Sequence, residues 1–298
     1  VHCQWEELPL QVRREVRSRC GAIREVGYPS AGINSDFAAT LHGTDQIVFC
    51  KGTRTGSRKA WMHHNEAEVN PWLPRLAPRL HWRIETDGWL LLGFEHAPGR
   101  HPDLSPGSAD LDTVAAAVSV LSEELNPCPP VRVARLAEHW RQLLAWHRLA
   151  ANPPDDLSPW IRSNLEHFVR WESRNLDLID GDSLLHTDLH PLNILIGGQA
   201  RVIDWAWARK GAAWVDAAFL VLRLIEAGHE PHQAERWAEQ IPAWRDASDS
   251  AVTAFAVTVA GVWEHMRRTN PKPHSARLVE VAVAWAQHRL GDEMPTVA

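Results

Sequence analysis

Short apolar runs separated by turn residues fill the first third of the 298-residue chain, and apolar positions at helical spacing fill the rest. Residues 22–26, 37–41, 46–51, 80–84 and 89–94 read as strands, with turns at 42–45 and 86–88. A helix is expected ahead of them within residues 1–20, and another between them over residues 57–73. From residue 110 the period changes. Leu111, Val114, Val118 and Leu121 mark a helix over 110–125. Leu136, Trp140, Leu143, Leu144 and His147 mark one over 133–149, and 159–176 follows, opened by Pro159. Residues 212–227, 231–240, 248–267 and 275–290 complete a helical region. Within it, 251–260 is apolar nearly all round, which places it at the centre of its lobe. Pro and Gly recur from Pro98 to Gly107, so a boundary between lobes is placed near residue 97.

One stretch breaks this regularity. Leu184 and Leu185 lead into His186, Asp188 and Asn193; Ile194, Leu195 and Ile196 read as a strand, Gly197 and Gly198 as a turn, and Arg201, Val202 and Ile203 as a return strand ending on Asp204. A hairpin of this kind delivers Asp188, Asn193 and Asp204 to one of its ends. Two acidic groups and an amide there suit one Mg2+ site and one base.

Composition narrows the partners. Hydrophobic residues make up 45% and charged residues 23%, as in a soluble globular protein. A net charge of −6 argues against nucleic acid or an anionic membrane as the main partner. Cys3, Cys20, Cys50 and Cys128 form no Cys-x-x-Cys pair and no zinc pattern, and read as reduced thiols. No apolar run approaches the roughly 20 residues of a membrane span, and the N-terminal residues lack a basic start followed by an apolar core, so no signal peptide and a cytoplasmic location are expected. The chain holds 16 Trp, which mostly serve as core. Only Lys51, Lys59, Lys210 and Lys272 break the preponderance of Arg, and Lys51 closes an apolar strand where a Lys is out of pattern.

The series His186-x-Asp188-x-x-x-x-Asn193, a short hairpin, then Ile203-Asp204-Trp205 resembles the catalytic core of the aminoglycoside phosphotransferase and choline kinase-like family. That resemblance implies an α+β, bilobal protein kinase-like fold: a small antiparallel-sheet N-lobe over 1–97, and a large, mostly helical C-lobe over 98–298 with the catalytic loop and acceptor site. It implies ATP and Mg2+ as cofactors. By the same resemblance, Asp188 is the base or positioning group for the attacking hydroxyl and His186 orients its loop. Asn193 and Asp204 hold Mg2+. Lys51 holds the α- and β-phosphates and is itself oriented by Glu66, in preference to Glu68, which lies about 200° further around the helix. The loop at 28–36, with Gly32 and Ser35, approaches the phosphates through backbone N–H groups. Glu95 and Ala97 lie in the hinge, whose backbone meets the adenine edge and leaves ATP and GTP both open. Asp216 braces the catalytic loop.

Some positions depart from the family. Thr187 stands where glycine is common, Trp205 follows Asp204 where protein kinases have Phe, and no Ala-Pro-Glu follows. The span from Asp204 to Asp216 has no room for a long activation segment, so the acceptor is expected to be small. The expected activity is transfer of the γ-phosphate to a hydroxyl of a small molecule, an aminoglycoside-like antibiotic (hence antibiotic resistance) or a metabolite alcohol. The alternatives are a peptide Ser/Thr kinase in peptide natural-product maturation, and a nucleotide-binding pseudokinase. Glu166, Glu172 and Glu264 are the acidic residues that could meet an amine on the acceptor. No pattern fixes an oligomeric state.

Overall fold

The computed structural model describes residues 3–29 and 34–291. Two units make it up: Val1–Pro102 with Pro130–Val133 and Pro191–Ala208, and Asp103–Pro129 with Ala134–His190 and Arg209–Ala298.

The first unit is built on an antiparallel sheet. Helix α1 (Leu10–Cys20) precedes strands β1 (Ile23–Gly27), β2 (Phe37–Gly43) and β3 (Ile47–Arg54); α2 (Ala60–Val69) then leads to β4 (Leu80–Thr86) and β5 (Trp89–Glu95). The spatial order is β1-β2-β3-β5-β4. All five strands fall where the sequence placed them. The period-two alternation of a pleated strand sorts their side chains. Val48, Cys50, Trp89 and Leu91 join Val12 and Val16 of α1 in one apolar cluster. Leu90, Leu92 and Phe94 form the opposite face. Lys51 pairs with Leu92 across β3 and β5, so it projects from that second face. The helix expected over 57–73 is shorter. It ends at Val69, and a 3-10 turn containing Pro71 takes over.

The stretch around the His186–Asp204 motif adds four short strands: β6 (Ser183–Leu185), β7 (Ile194–Gly197), β8 (Gln199–Val202) and β9 (Arg209–Gly211). The expected hairpin is β7–β8, turning at Gly198 with φ +90°, and it belongs to the first unit. Strands β6 and β9 pair antiparallel in the second unit.

The rest of the second unit is helical: α3 (Asp110–Glu124), α4 (Leu136–Arg141), α5 (Trp146–Ala151), α6 (Pro159–Leu178), α7 (Val215–Glu226), α8 (Pro231–Ala238), α9 (Pro242–Arg245), α10 (Asp249–Thr269) and α11 (Ser275–Leu290). As the apolar run at 251–260 predicts, α10 is buried from Ala251 to Val262 and packs on α6 and α11. Phe255 on it is an aromatic hub, stacked on Trp140 at 5.1 Å and edge-on to Trp214, Phe219 and Trp285. The single helix expected over 133–149 is instead two, α4 and α5. The Ala145, Trp146 and His147 N–H groups donate to the Glu172 carboxylate of α6 at 2.7, 2.9 and 3.1 Å, so a new helix starts there. Among the described residues no helix is long and apolar enough to cross a membrane, and all four cysteines are free thiols.

Candidate active site

In the first unit, Lys51 lies inside β3, which runs on to Arg54 instead of closing at the lysine, and meets two carboxylates. Its Nζ lies 2.7 Å from Glu66 Oε2 and 2.6 Å from Asp204 Oδ1. The Lys51 and Glu66 side chains are 9% and 4% exposed, so this pair lies largely out of water, while Asp204 is 31% exposed. Phe94 of β5 adds its ring face 5.7 Å from the ammonium. Burial alone would depress the Lys51 pKa, but Asp204 and Glu66 outweigh it and hold it above the ordinary lysine value. Burial pushes Glu66 up to about 7 against the pull of Lys51, and the Asp204 charge adds to the rise. Of the two glutamates considered, Glu66 is buried and pairs with Lys51, whereas Glu68 faces solvent. One cation between two carboxylates leaves an excess negative charge, which a further cation would offset.

Hairpin β7–β8 brings Asn193 and Asp204 to the same place. The last ladder pair is Ile194 with Val202, and beyond it the Ile203 N–H donates to the Asn193 carbonyl at 2.9 Å. Asn193 is buried and Asp204 is partly exposed. Asp204 has φ 63° and ψ 60°, a left-handed conformation costing about 1–2 kcal/mol in a residue with a Cβ. Among the described residues no group of three His, Cys, Asp or Glu side chains could hold a metal. An amide and a carboxylate oxygen at one hairpin end are nonetheless the hard donors Mg2+ takes when nucleotide phosphates supply the rest. The residues present fit an ion held jointly with a nucleotide.

The same hairpin is fastened beside the end of β5. Arg201 of β8 donates to both Glu95 oxygens, at 3.1 and 2.7 Å. Arg100 and Ile196 exchange backbone hydrogen bonds of 3.1 and 2.7 Å. The approach is close enough that a Cβ on Gly197 would stand 2.4 Å from the Pro98 carbonyl oxygen. In the expected hinge, the Glu95 N–H donates to the Arg79 carbonyl at 2.7 Å, and Ala97 lies in the segment that follows. Of the expected phosphate loop, residues 30–33, with Gly32, lie outside the described residues. Ser35 Oγ lies 3.1 Å from Nε2 of the buried His63 of α2.

The second unit holds the loop with His186 and Asp188. Asp216, at the start of α7, is buried and accepts the His186 and Thr187 N–H groups, each at 2.8 Å. Burial raises its pKa, opposed by His186 and the two backbone donors. The Asp188 N–H donates to His186 Nδ1 at 3.2 Å, so His186 props the turn from inside. Thr187 has φ 62°, which explains why glycine suits that position. His190 Nε2 lies 3.8 Å from Asp188 Oδ2. Two acidic candidates for the acceptor are occupied by structural duties. Glu172 caps α5, and Glu264 is buried and paired with Arg267 and Arg268 at 2.9 and 2.7 Å. Glu166 is exposed on α6.

Sequence reasoning missed Asn65, His63 and Arg201. Their partners are backbone atoms or residues far away in the chain, and no spacing signals such pairs.

Residues 57–277 match the sequence pattern described as the phosphotransferase enzyme family. No curated protein matches the chain by sequence. Solved structures share its fold. A thermostable mutant of aminoglycoside phosphotransferase APH(4)-Ia, in ternary complex with ADP and hygromycin B, is 13% identical, covering 93% of this chain and 99% of its own at a TM-score of 0.60. The GDP complex of aminoglycoside 2'-phosphotransferase-IIIa is 17% identical, covering 92% and 98% at 0.64. Choline kinase LicA from Streptococcus pneumoniae is 14% identical, covering 93% and 98% at 0.55. The fold is thus the protein kinase-like one the motif implied.

Proposed function

The chain belongs to the phosphotransferase enzyme family, and from that premise we propose that it transfers the γ-phosphoryl group of ATP to a hydroxyl of a small molecule. The buried Lys51–Glu66–Asp204 arrangement carries this reading. Three ions in a low-dielectric site are a poor way to stabilise a fold, because desolvation offsets much of their attraction. A fixed ammonium beside a carboxylate is a good way to receive phosphates and a metal. Lys51 binds the α- and β-phosphates, with Glu66 holding it in place. Asn193 and Asp204 would hold Mg2+, which would supply positive charge to offset that developing on the phosphoryl group. The Glu95 carbonyl and the Ala97 N–H meet the base, since the Glu95 N–H is already engaged. The loop with Ser35 lies against the phosphates.

Asp188 positions the acceptor hydroxyl and takes its proton. A bond forms between that oxygen and the γ-phosphorus, the bond from phosphorus to the bridging oxygen breaks, and ADP leaves. Asp216 and His186 keep the Asp188 turn in shape for this step. The span after Asp204 folds at once into a 3-10 turn, β9 and α7, which supports a small acceptor over a peptide. Glu172 and Glu264 are engaged internally, so they supply no free charge for an acceptor amine, and a neutral metabolite alcohol is as well supported as an antibiotic.

The test is phosphate transfer from γ-labelled ATP with Mg2+ to a panel of aminoglycosides, other amino sugars, nucleosides, choline-like alcohols and Ser/Thr peptides. Transfer to a small alcohol that disappears in Asp188→Asn supports the reading. Transfer to peptides alone, or transfer unaffected by the substitution, contradicts it.

A further inference from the structure

Asp204 occupies a left-handed conformation that a non-glycine residue keeps only where its surroundings fix it. Several of the contacts that hold the segment after it come from α2. Asn65 Nδ2 donates to the Ala206 carbonyl at 3.1 Å and to the Ala208 carbonyl at 3.2 Å. Both acceptors are carbonyl oxygens, so the NH2 end of the amide must face this segment, and it supplies one proton to each. One residue further along, Glu66 Oε1 accepts the Trp205 N–H at 3.2 Å. One turn back, the Trp61 ring meets Trp207 edge to face, with centroids 5.0 Å apart and planes at 82°. Trp61 and Asn65 stand four residues apart and share a helix face. The four residues after Asp204 are therefore fastened to one helix by contacts to their main chain and to the Trp207 ring. Asn65 is the member that grips the backbone on both sides of Trp207 without being part of the ion trio.

We propose that Asn65 is a positioning residue for Asp204. By holding residues 206–208 against α2 it keeps Asp204 left-handed, with its carboxylate turned toward the metal position. It acts through the backbone and touches neither nucleotide nor metal. The inference rests on the reading of Asp204 as a holder of Mg2+.

Asn65→Leu keeps the branched shape and removes both donors. ATP is titrated calorimetrically into the wild-type protein, Asn65→Leu and Asp204→Asn, once with Mg2+ and once with EDTA. Asn65→Leu is expected to bind ATP with Mg2+ about tenfold more weakly, the scale of one or two lost hydrogen bonds, while metal-free ATP binds as in the wild type. A purely structural role would weaken both titrations alike, and that result overturns the proposal. So does an unchanged affinity in both when Asp204→Asn loses the Mg2+-dependent part. If Asp204→Asn keeps that part, the metal assignment falls and the inference with it. Should Asn65→Leu fail to fold, Asn65→Ala gives the same comparison.

Discussion

Two buried residues next to the ion trio and the catalytic loop show how single side chains set conditions for the rest. Burial pushes the His63 imidazole down to about 4, and the Lys51 ammonium adds to the shift. An unfolded histidine titrates near its ordinary 6.5, so between pH 6.5 and 4 the unfolded chain takes up a proton that the folded chain refuses. The stabilisation is complete above 6.5 and is lost as pH falls through that window, by about 3 kcal/mol in all. Urea unfolding of the wild type and His63→Gln should give a stability gap that shrinks on acidification from pH 7 to 4.5; parallel curves would refute the assignment. Asp216 works on geometry. Asp216→Ala removes the acceptor of the His186 and Thr187 N–H groups and lets Thr187 leave its left-handed conformation. Turnover should drop about a hundredfold, as for a misplaced catalytic group, with ATP affinity unchanged; a parallel loss of ATP affinity would show that the brace serves the nucleotide instead. Spacing singled out Asp188, Asn193 and Asp204 as candidates, and Lys51 stood out because a lysine in an apolar strand is out of place. Asn65 and His63 were not, because an amide clamped on two distant carbonyls leaves no trace in local pattern.

At the scale of elements, the strands of the first unit were readable because turn residues bound each apolar run, and the helices of the second because their stripes recur. The exceptions have long-range causes. The stripe over 133–149 is continuous, yet Glu172, from another helix, captures three N–H groups and starts α5 anew. Strands β6 and β9 have three residues each, too short for periodicity to register. Glu172→Ala leaves three donors without their acceptor and should cost about 3 kcal/mol or more, read as a lowered urea midpoint. A change below about 0.5 kcal/mol, the range of ordinary surface substitutions, would show that the break between α4 and α5 has another cause. The Glu95–Arg201 pair is a weaker fastening. The Arg201 hydrogen bond, against the opposing effect of partial burial and with help from the Arg79 N–H, holds the Glu95 carboxyl below the usual carboxylate range, but the Glu95 side chain is 38% exposed, so solvent screens it.

At the scale of the whole molecule, each unit has its own apolar core, and each carries part of the proposed site. The first holds Lys51, Glu66, Asn193 and Asp204, and the second holds His186, Asp188 and Asp216. The motif at 186–204 made the family legible, and the matched pattern over 57–277 agrees. The acceptor was not legible, because its contacts depend on side chains brought together by helix packing and not on any spacing. The central claim is that the buried lysine exists to receive nucleotide phosphates. The measurement that tests it most directly is calorimetric titration of ATP, with Mg2+, into the wild-type protein and Lys51→Met. The account predicts binding to the wild type and a loss of about tenfold or more in the variant, as expected when a charge-assisted contact to phosphate is removed. Equal affinity in the two proteins, or no binding of ATP to the wild type, would contradict it.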